Sequence, residues 1–449
     1  MDTVTRLALA LLLCGGGTLF SLPVQAQQSP DTLRLDTAVQ RALDDNRQAQ
    51  IARRQVDIAE NNVSLGNAGF LPTVTGQANY TETITNSEQT FVTGDPQSSD
   101  GAQSTQSGAS ADLRWTVFDG LRPFATYDRL GAQRDRQAAA TDEEIEALVA
   151  DVIAGYYDVA RQQQQLDVLR EAAAISRERL RIVRVRQDVG SASDLAVRQA
   201  RVDLNADSAA VLRQQTALVN AKTQLNQLLG RPDNASIRYA VTSTIEVDTS
   251  LGYTPLQRTA LQESPALTQA RQALRAAEAE RRQVRADFFP TVDLTAGYGY
   301  SQLDAESGFL QESTSTDLTY GVSLSFDLFD GLNRWRRTQN AQIRANNARL
   351  AVEDVRTRLT TELTSAYERY QNRLQLVALE RQTLEAVRAN VDVALAQFEQ
   401  GTITSVELRE VQEQFIQAET RLLTAQFEAK QAEVELLRLS GQLLSRVQQ

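Results

Sequence analysis

The chain has 449 residues, of which 42% are hydrophobic, 6% aromatic and 23% charged, with a net charge of −11; this is globular composition with length for two or three sizeable cores. It contains no His, a single Cys (Cys14) and a single Met (Met1), which excludes imidazole acid–base catalysis and, beyond the N-terminus, cysteine nucleophiles, thiolate metal sites and disulfides. Lys occurs only at Lys222 and Lys430, and an acidic chain without a basic domain is a poor nucleic-acid binder.

Residues 1–26 read as a signal peptide. Arg6 precedes an apolar run from Leu7 to Leu13, Gly15–Gly17 interrupt it, and Val24-Gln25-Ala26 supplies small residues at cleavage spacing. The run is too short and too glycine-broken for a membrane anchor. Leu13 stands where a lipidated Cys14 would want a small residue. No later stretch approaches the roughly 18 apolar residues of a membrane-crossing helix.

The remainder is written twice. Phe118-Asp119-Gly120-Leu121 recurs as Phe329-Asp330-Gly331-Leu332, an offset of 211 that also relates Tyr156 to Tyr367, Gly190 to Gly401 and Gly230 to Gly441. Upstream the offset is 218, relating Ala42-Leu43 to Ala260-Leu261 and Leu71-Pro72 to Phe289-Pro290. The expected organisation is a first repeat over 27–230, a linker or equatorial segment over 231–256, a second repeat over 257–441 and a tail over 442–449.

Each repeat opens with a helical stretch, about 37–66 and 257–286, that ends at the proline. A period of two follows. Val74, Gly76, Ala78 and Tyr80 alternate with Thr and polar residues, as do Ala109, Ala111, Leu113, Trp115 and Val117 before Asp119. In the second repeat Val292, Leu294, Ala296, Tyr298 and Tyr300 face one way, and Leu318, Tyr320, Val322, Leu324, Phe326 and Leu328 do likewise. The hairpins span about 71–119 and 289–330, with strands of about ten residues, the length of an outer-membrane barrel strand. Polar loops are expected at 83–108 and 302–316. A soluble sheet with one wet face would alternate in the same way, but four such strands in an exported chain, with Ser, Thr and Gly on the second face, favour a barrel. Asp112, Arg114, Asp293, Asp317 and Asp327 then line its lumen. Trp115, Tyr80, Tyr298, Tyr300, Phe326 and Trp335 are candidates for interfacial aromatics or for packing near the barrel's end. Four strands cannot close a barrel, and lipid tolerates no open edge, so at least two chains must share it.

Asp119-Gly120 and Asp330-Gly331 are turns that send each hairpin into long helices. The helical blocks run over 122–188 and 193–229, then 333–399 and 404–440; at about 1.5 Å per residue the longer ones reach roughly 100 Å. Gly190 and Gly401 suit the left-handed position that ends a helix. Thr404-x-x-Glu407 has the form of a capping box opening the next one, and Glu410, three residues on, shares its helical face.

The order and duplication of these features resemble the TolC family of outer-membrane efflux and secretion channels. The resemblance rests on Leu33-Arg34-Leu35-Asp36-Thr37-Ala38 with Ala42-Leu43, the Pro72 and Pro290 strand entries, the two Phe-Asp-Gly strand exits and the glycine turns. It implies an α+β membrane protein: a homotrimer whose four transmembrane strands per chain build one shared 12-stranded β-barrel, above a periplasmic α-barrel of long coiled-coil-like helices with an equatorial belt. It further implies a passive duct in the outer-membrane lipid, joined to a periplasmic adaptor (membrane fusion) protein and an inner-membrane transporter of RND, ABC or MFS type, without cofactor, metal or catalytic centre. Acidic rings in the family lie six and nine residues after the second glycine, where this chain has Glu407 and Glu410, so these are the expected gate and selectivity residues; a plain cap and a surface charge are the alternative. Val189, Gly190, Ser191, Gln400, Gly401 and Thr402 resemble the tip positions that meet the adaptor. The first repeat has Ala196 and Gln199 at the acidic positions, and Ile403 and Ala196 replace the charged partners of the family's closure latch. A periplasmic coiled-coil adaptor or scaffold would also carry long helical hairpins but not duplicated strand hairpins. A trimeric adhesin anchor would confine its strands to one region. An exported enzyme is the least supported alternative.

Overall fold

The computed structural model describes residues 31–447 except 91, 232–236, 238 and 308–309, so the expected signal peptide lies outside the described residues. A short strand β1 (Asp31–Leu33) leads into helices α1 (Leu35–Asp45), α2 (Arg47–Asn61) and α3 (Leu65–Ala68). Strands β2 (Thr73–Gln89) and β3 (Gln97–Phe118) form the first hairpin, followed by α4 (Arg122–Asp188) and α5 (Asp194–Leu228). After β4 (Tyr239–Val241) the pattern repeats: α6 (Tyr253–Glu263), α7 (Pro265–Arg285), β5 (Thr291–Ala305), β6 (Glu312–Ser325), α8 (Asn333–Gln400) and α9 (Ser405–Leu439), with α10 (Leu443–Val447) last.

The long helices fall within a residue of their expected ends because cap chemistry marks them: Ser193 and Thr404 as N-caps, and Gly401 as a left-handed C-cap. The opening helical stretches differ from expectation. The span 37–66 is three helices, broken at Asn46 and Ser64, and 257–286 is two, starting at Tyr253 and broken at Ser264. Asn46 accepts hydrogen bonds from the backbone N–H groups of Gln48 (2.8 Å) and Ala49 (3.3 Å), so its side chain starts a new helix where periodicity alone reads straight through. The 231–256 segment contains β4 and the start of α6, and the tail contains α10.

All four long strands pair antiparallel in the order β2-β3-β5-β6. They are longer than the ten residues expected, and the intervening loops contract to 90–96 and 306–311. The register explains the difference. Val74, Leu113, Ala296 and Tyr320 lie side by side, as do Gly76, Ala111, Tyr298 and Leu318, and together these rows make one apolar face. Farther from the helices the same face becomes Tyr80, Ser107, Gln302 and Thr314, then Glu82, Thr105, Asp304 and Glu312. From Val292 to Tyr300 the apolar band covers about 27 Å of strand, the scale of a barrel's lipid-facing band of about 25 Å. The alternation therefore measures the band in lipid, while Thr- and Ser-rich ends continue to pair beyond it.

On the opposite face Arg114 meets Asp293 at 3.6 Å, and Thr116 donates to Asp293 at 2.6 Å. Asp112 and Asp317 share that polar face. Asp327 does not: β6 has ended by then, and the Asp327 carbonyl accepts a hydrogen bond from Arg334 Nη2 (2.7 Å) in the turn toward α8.

The main apolar core lies part-way along the helices and joins both repeats, drawing on Val149, Val152, Leu225, Leu363, Leu436 and Leu443 among others. Parallel pairing of β1 with β4 ties the start of the chain to the segment between repeats. Tyr156 fastens it, donating to the Leu33 carbonyl (2.9 Å) and accepting from Thr242 N–H (3.1 Å). Among the described residues no helix is long and apolar enough to cross a membrane. β2 is exposed along almost its whole length and β6 along most of its length, and both are unpaired on their outer edges.

Candidate functional site

The far end of the molecule from the strands is formed by the two helix turns. Gly190 and Gly401 adopt φ of +79° and +83°, and each leads its chain back through bonds to the preceding helix. Ser191 N–H donates to the Arg186 carbonyl (2.7 Å) and Thr402 N–H to the Gln397 carbonyl (3.0 Å). Val189, Ser191, Gln400 and Thr402 are exposed around these glycines. The turns lie against each other: Arg186 donates to the Phe398 carbonyl and places its guanidinium 4.7 Å from the centre of the Phe398 ring.

The capping box at the start of α9 is formed. Glu407 N–H donates to Thr404 Oγ1 (3.2 Å), while the Glu407 carboxylate accepts from Thr404 N–H (2.7 Å) and from its hydroxyl (2.9 Å). These bonds hold the Glu407 carboxyl below the usual glutamate range, the backbone N–H first among them. Glu407 and Glu410 are both exposed. Arg409, between them, turns inward and pairs with Asp207 on α5 at 2.7 Å and with Glu413 at 2.9 Å. Its charge therefore goes to the helix interface and leaves the two glutamates outward.

Under the tip, Ile403 and Ala196, the two positions without the family's charged pair, pack into one apolar cluster with Leu180, Val183, Phe398 and Leu408. One turn deeper lies a buried polar network that the sequence pattern does not single out. Asp207 accepts from Ser176 Oγ (2.5 Å), Gln412 Nε2 (3.2 Å) and Arg409; Gln412 also donates to the Ala172 carbonyl (2.7 Å). Arg179, fully buried, pairs with Asp203 at 2.6 Å and donates to the Ser405 carbonyl at 3.4 Å. The network joins α4, α5 and α9. Its signal in sequence is a polar residue at apolar spacing: Asp207 continues the row Ala200, Leu204, and Ser176 stands between Ala173 and Leu180.

The strand-to-helix turns form a third group. Gly120-Leu121 and Gly331-Leu332 each place two successive residues in the left-handed region, φ +72° and +65°, then +67° and +63°. Leucine there is strained by about 1 kcal/mol or more. Charges brace both turns. Arg122 lies 3.2 Å from Asp119; Asp330 accepts from Arg334 N–H (2.8 Å); and Asp287, just before β5, pairs with Arg122 and, at 3.1 Å, with Arg337. The structure thus brings together three groups along one long axis. The strand turns and the helix tips do not touch.

Residues 38–231 and 256–442 match the family described as outer membrane efflux protein. The outer membrane efflux protein BepC of Brucella suis is 23% identical over 437 residues, covering 96% of this chain and 90% of that protein. The alkaline protease secretion protein AprF of Pseudomonas aeruginosa is 22% identical over 389 residues, covering 86% of this chain and 80% of the relative. Among solved structures, the CmeC outer membrane channel of Campylobacter jejuni shares the fold, with a TM-score of 0.72 at 14% identity over 97% of this chain and 94% of that one.

Proposed function

The chain belongs to the outer membrane efflux protein family, and on that footing we propose that three copies close one barrel and that the glycine-ended helix turns form its periplasmic mouth. The protein is an outer-membrane exit duct of the efflux and type I secretion kind, set in the outer membrane and extending into the periplasm. The family is one of channels, not of enzymes. The observation that carries the assembly is the four-stranded sheet with an apolar band, a polar opposite face and two unpaired edges. Such a sheet is stable in lipid only when closed, and three copies supply twelve strands.

In this reading residues 1–26 direct export, the repeats 27–230 and 257–441 each contribute one hairpin and one helical pair, and 231–256 belongs to the equatorial belt. Val189, Gly190, Ser191, Gln400, Gly401 and Thr402 meet a periplasmic adaptor, which couples the duct to an inner-membrane transporter. Asp119, Gly120, Asp330 and Gly331 fix the angle between barrel and helices. Glu407 and Glu410, repeated by symmetry, form a carboxylate ring that attracts cations. The capping role of Glu407 does not compete with this, because the capped carboxylate stays charged and exposed.

Glu407→Gln combined with Glu410→Gln is expected to lower the cation-to-anion permeability ratio and weaken block by multivalent cations in planar bilayers. Glu407's depressed pKa means that its charge, and the cap stability it contributes, is present above the ordinary glutamate range and is lost only as pH falls below it. Wild-type selectivity should therefore persist at mildly acidic pH. Unchanged selectivity and block in the double variant would remove the ring.

A further inference from the structure

The internal duplication gives more than a count of strands, because contacts made within the chain are a template for contacts the chain cannot make alone. The two hairpins superpose in register: Val74 pairs with Leu113, and the residues one repeat later, Val292 and Leu324, pair with each other. Between the repeats, β3 pairs with β5 and α4 packs along α7. α7 lies between two long helices, α4 and α8, whereas its counterpart α2 makes extensive contact with one, α4. The missing neighbour of α2 is the equivalent of α4, namely α8, and α8 of the same chain is already engaged with α7.

The free faces of α2 and α8 each carry two large aliphatic residues among polar ones. Ile51 and Ile58, one heptad apart on α2, are 56% and 62% exposed; Ile343 and Leu350, one heptad apart on α8, are 49% and 62% exposed. The residues equivalent to these last two on α4 are Ala132 and Ala139, which are buried. At the α4–α7 contact, Gln269 donates to the Ala139 carbonyl (3.5 Å) and to the Glu143 carboxylate. Carried through the two offsets, Gln269 becomes Ile51 and Ala139 becomes Leu350. One heptad along the antiparallel helices, Ile58 meets Ile343. Two pairs of exposed aliphatic residues are thus set face to face by the repeat offsets alone.

The backbone agrees. A Cβ on Gly120 would sit 2.7 Å from the Ala286 carbonyl oxygen, but the space beside Gly331 is open, its nearest neighbour being Asn333 Nδ2 at 3.7 Å. The equivalent of Ala286 is Ala68. Within the sheet, Leu113 pairs with Ala296, which transposes to Leu324 opposite Ala78 and sets Leu318 opposite Ile84 on the same apolar face.

We propose that each copy docks on the next with Leu350 against Ile51, Ile343 against Ile58, Gly331 against the Ala68 backbone, and β6 on β2 in the Leu324–Ala78 register. This rests on the three-copy reading above and gives it residue-level pairs: where α4 meets α7 within the chain Ala139 faces Gln269, whereas the equivalent contact with a second copy sets Leu350 against Ile51. Cysteine pairs test it well, since Cys14 is the only native cysteine. In outer membranes of cells expressing the full chain, Ile51→Cys with Leu350→Cys should give disulfide-linked dimers and trimers on a non-reducing denaturing gel, and Ala78→Cys with Leu324→Cys should do the same. The off-register pair Ile51→Cys with Ile343→Cys should stay monomeric, because seven residues along a helix is about 10 Å, beyond disulfide reach. Trimers in detergent with neither in-register pair linking, or with the off-register pair linking equally, would overturn the register and leave the assembly standing. Only monomers in detergent would overturn the three-copy reading itself.

Discussion

Gly230→Ala should destabilise the protein far more than the equivalent Gly441→Ala. Gly230 has a φ of +68°, and a Cβ there would lie 2.4 Å from the Asp45 carbonyl oxygen, 2.6 Å from its carbon and 2.9 Å from Asn46 N. All three are backbone atoms at the break between α1 and α2. That break is itself pinned, since Asn46 caps α2 and its Nδ2 donates to the Leu228 carbonyl (2.9 Å). The end of the first repeat is thereby locked to its beginning, with no flexible side chain to move aside. Gly441 repeats the arrangement more loosely, with φ +71° and the Glu263 carbonyl oxygen at 3.1 Å. Left-handed alanine costs about 1 kcal/mol at either site, and forced backbone displacement adds about 1–3 kcal/mol at Gly230. Thermal unfolding followed by circular dichroism in detergent should show the larger fall in midpoint for Gly230→Ala. Equal falls would mean the Asp45–Asn46 contact is not rigid.

Asp207→Ala should loosen the tip. Asp207 is buried and accepts from Ser176, Gln412 and Arg409, so its removal leaves the half-buried Arg409 guanidinium with Glu413 alone and takes the shared carboxylate away from Ser176 and Gln412. Breaking a buried pair from one side typically costs about 3–5 kcal/mol, whereas replacing both partners with apolar residues recovers much of it. Asp207→Leu with Arg409→Met is therefore expected to be more stable than Asp207→Ala alone. Because the network ties α9 to α5 one turn above the mouth, Asp207→Ala should also raise single-channel conductance. Arg198→Ala, which breaks an exposed pair with Asp194, should change neither property. If conductance and stability are both unaltered in Asp207→Ala, the two hairpins are held by the apolar cluster around Phe398 and Ile403 instead.

The helical blocks were legible because their ends carry their own chemistry: Ser193, the Thr404–Glu407 box and Gly401 determine where a helix can start or stop whatever it packs against. Strand length was not legible in the same way. Alternation reports the contrast between two faces, and past Tyr300 the apolar face of β5 becomes Gln302 and Asp304 while Leu303 and Ala305 fall on the other, so the strand continues where its pattern has broken. The split of 37–66 at Asn46 was hidden because one capping side chain does not disturb a 3.6-residue period. Glu407 and Glu410 stand out through the family resemblance, six and nine residues after Gly401, where the local pattern alone offers a cap and a surface charge. Asp207 does not, because its importance comes from Ser176, Gln412 and Arg409, which lie on two other helices. A polar residue at an apolar spacing is visible in sequence; its partners are set by packing between hairpins.

On this reading the chain forms a conduit through the outer membrane by oligomeric closure. The most direct test is the current through planar bilayers after adding the detergent-extracted protein. Discrete, uniform conductance steps from a detergent-stable trimer are expected, with cation preference that depends on Glu407 and Glu410. A protein that yields no steps, and that remains dispersed without detergent, would contradict it.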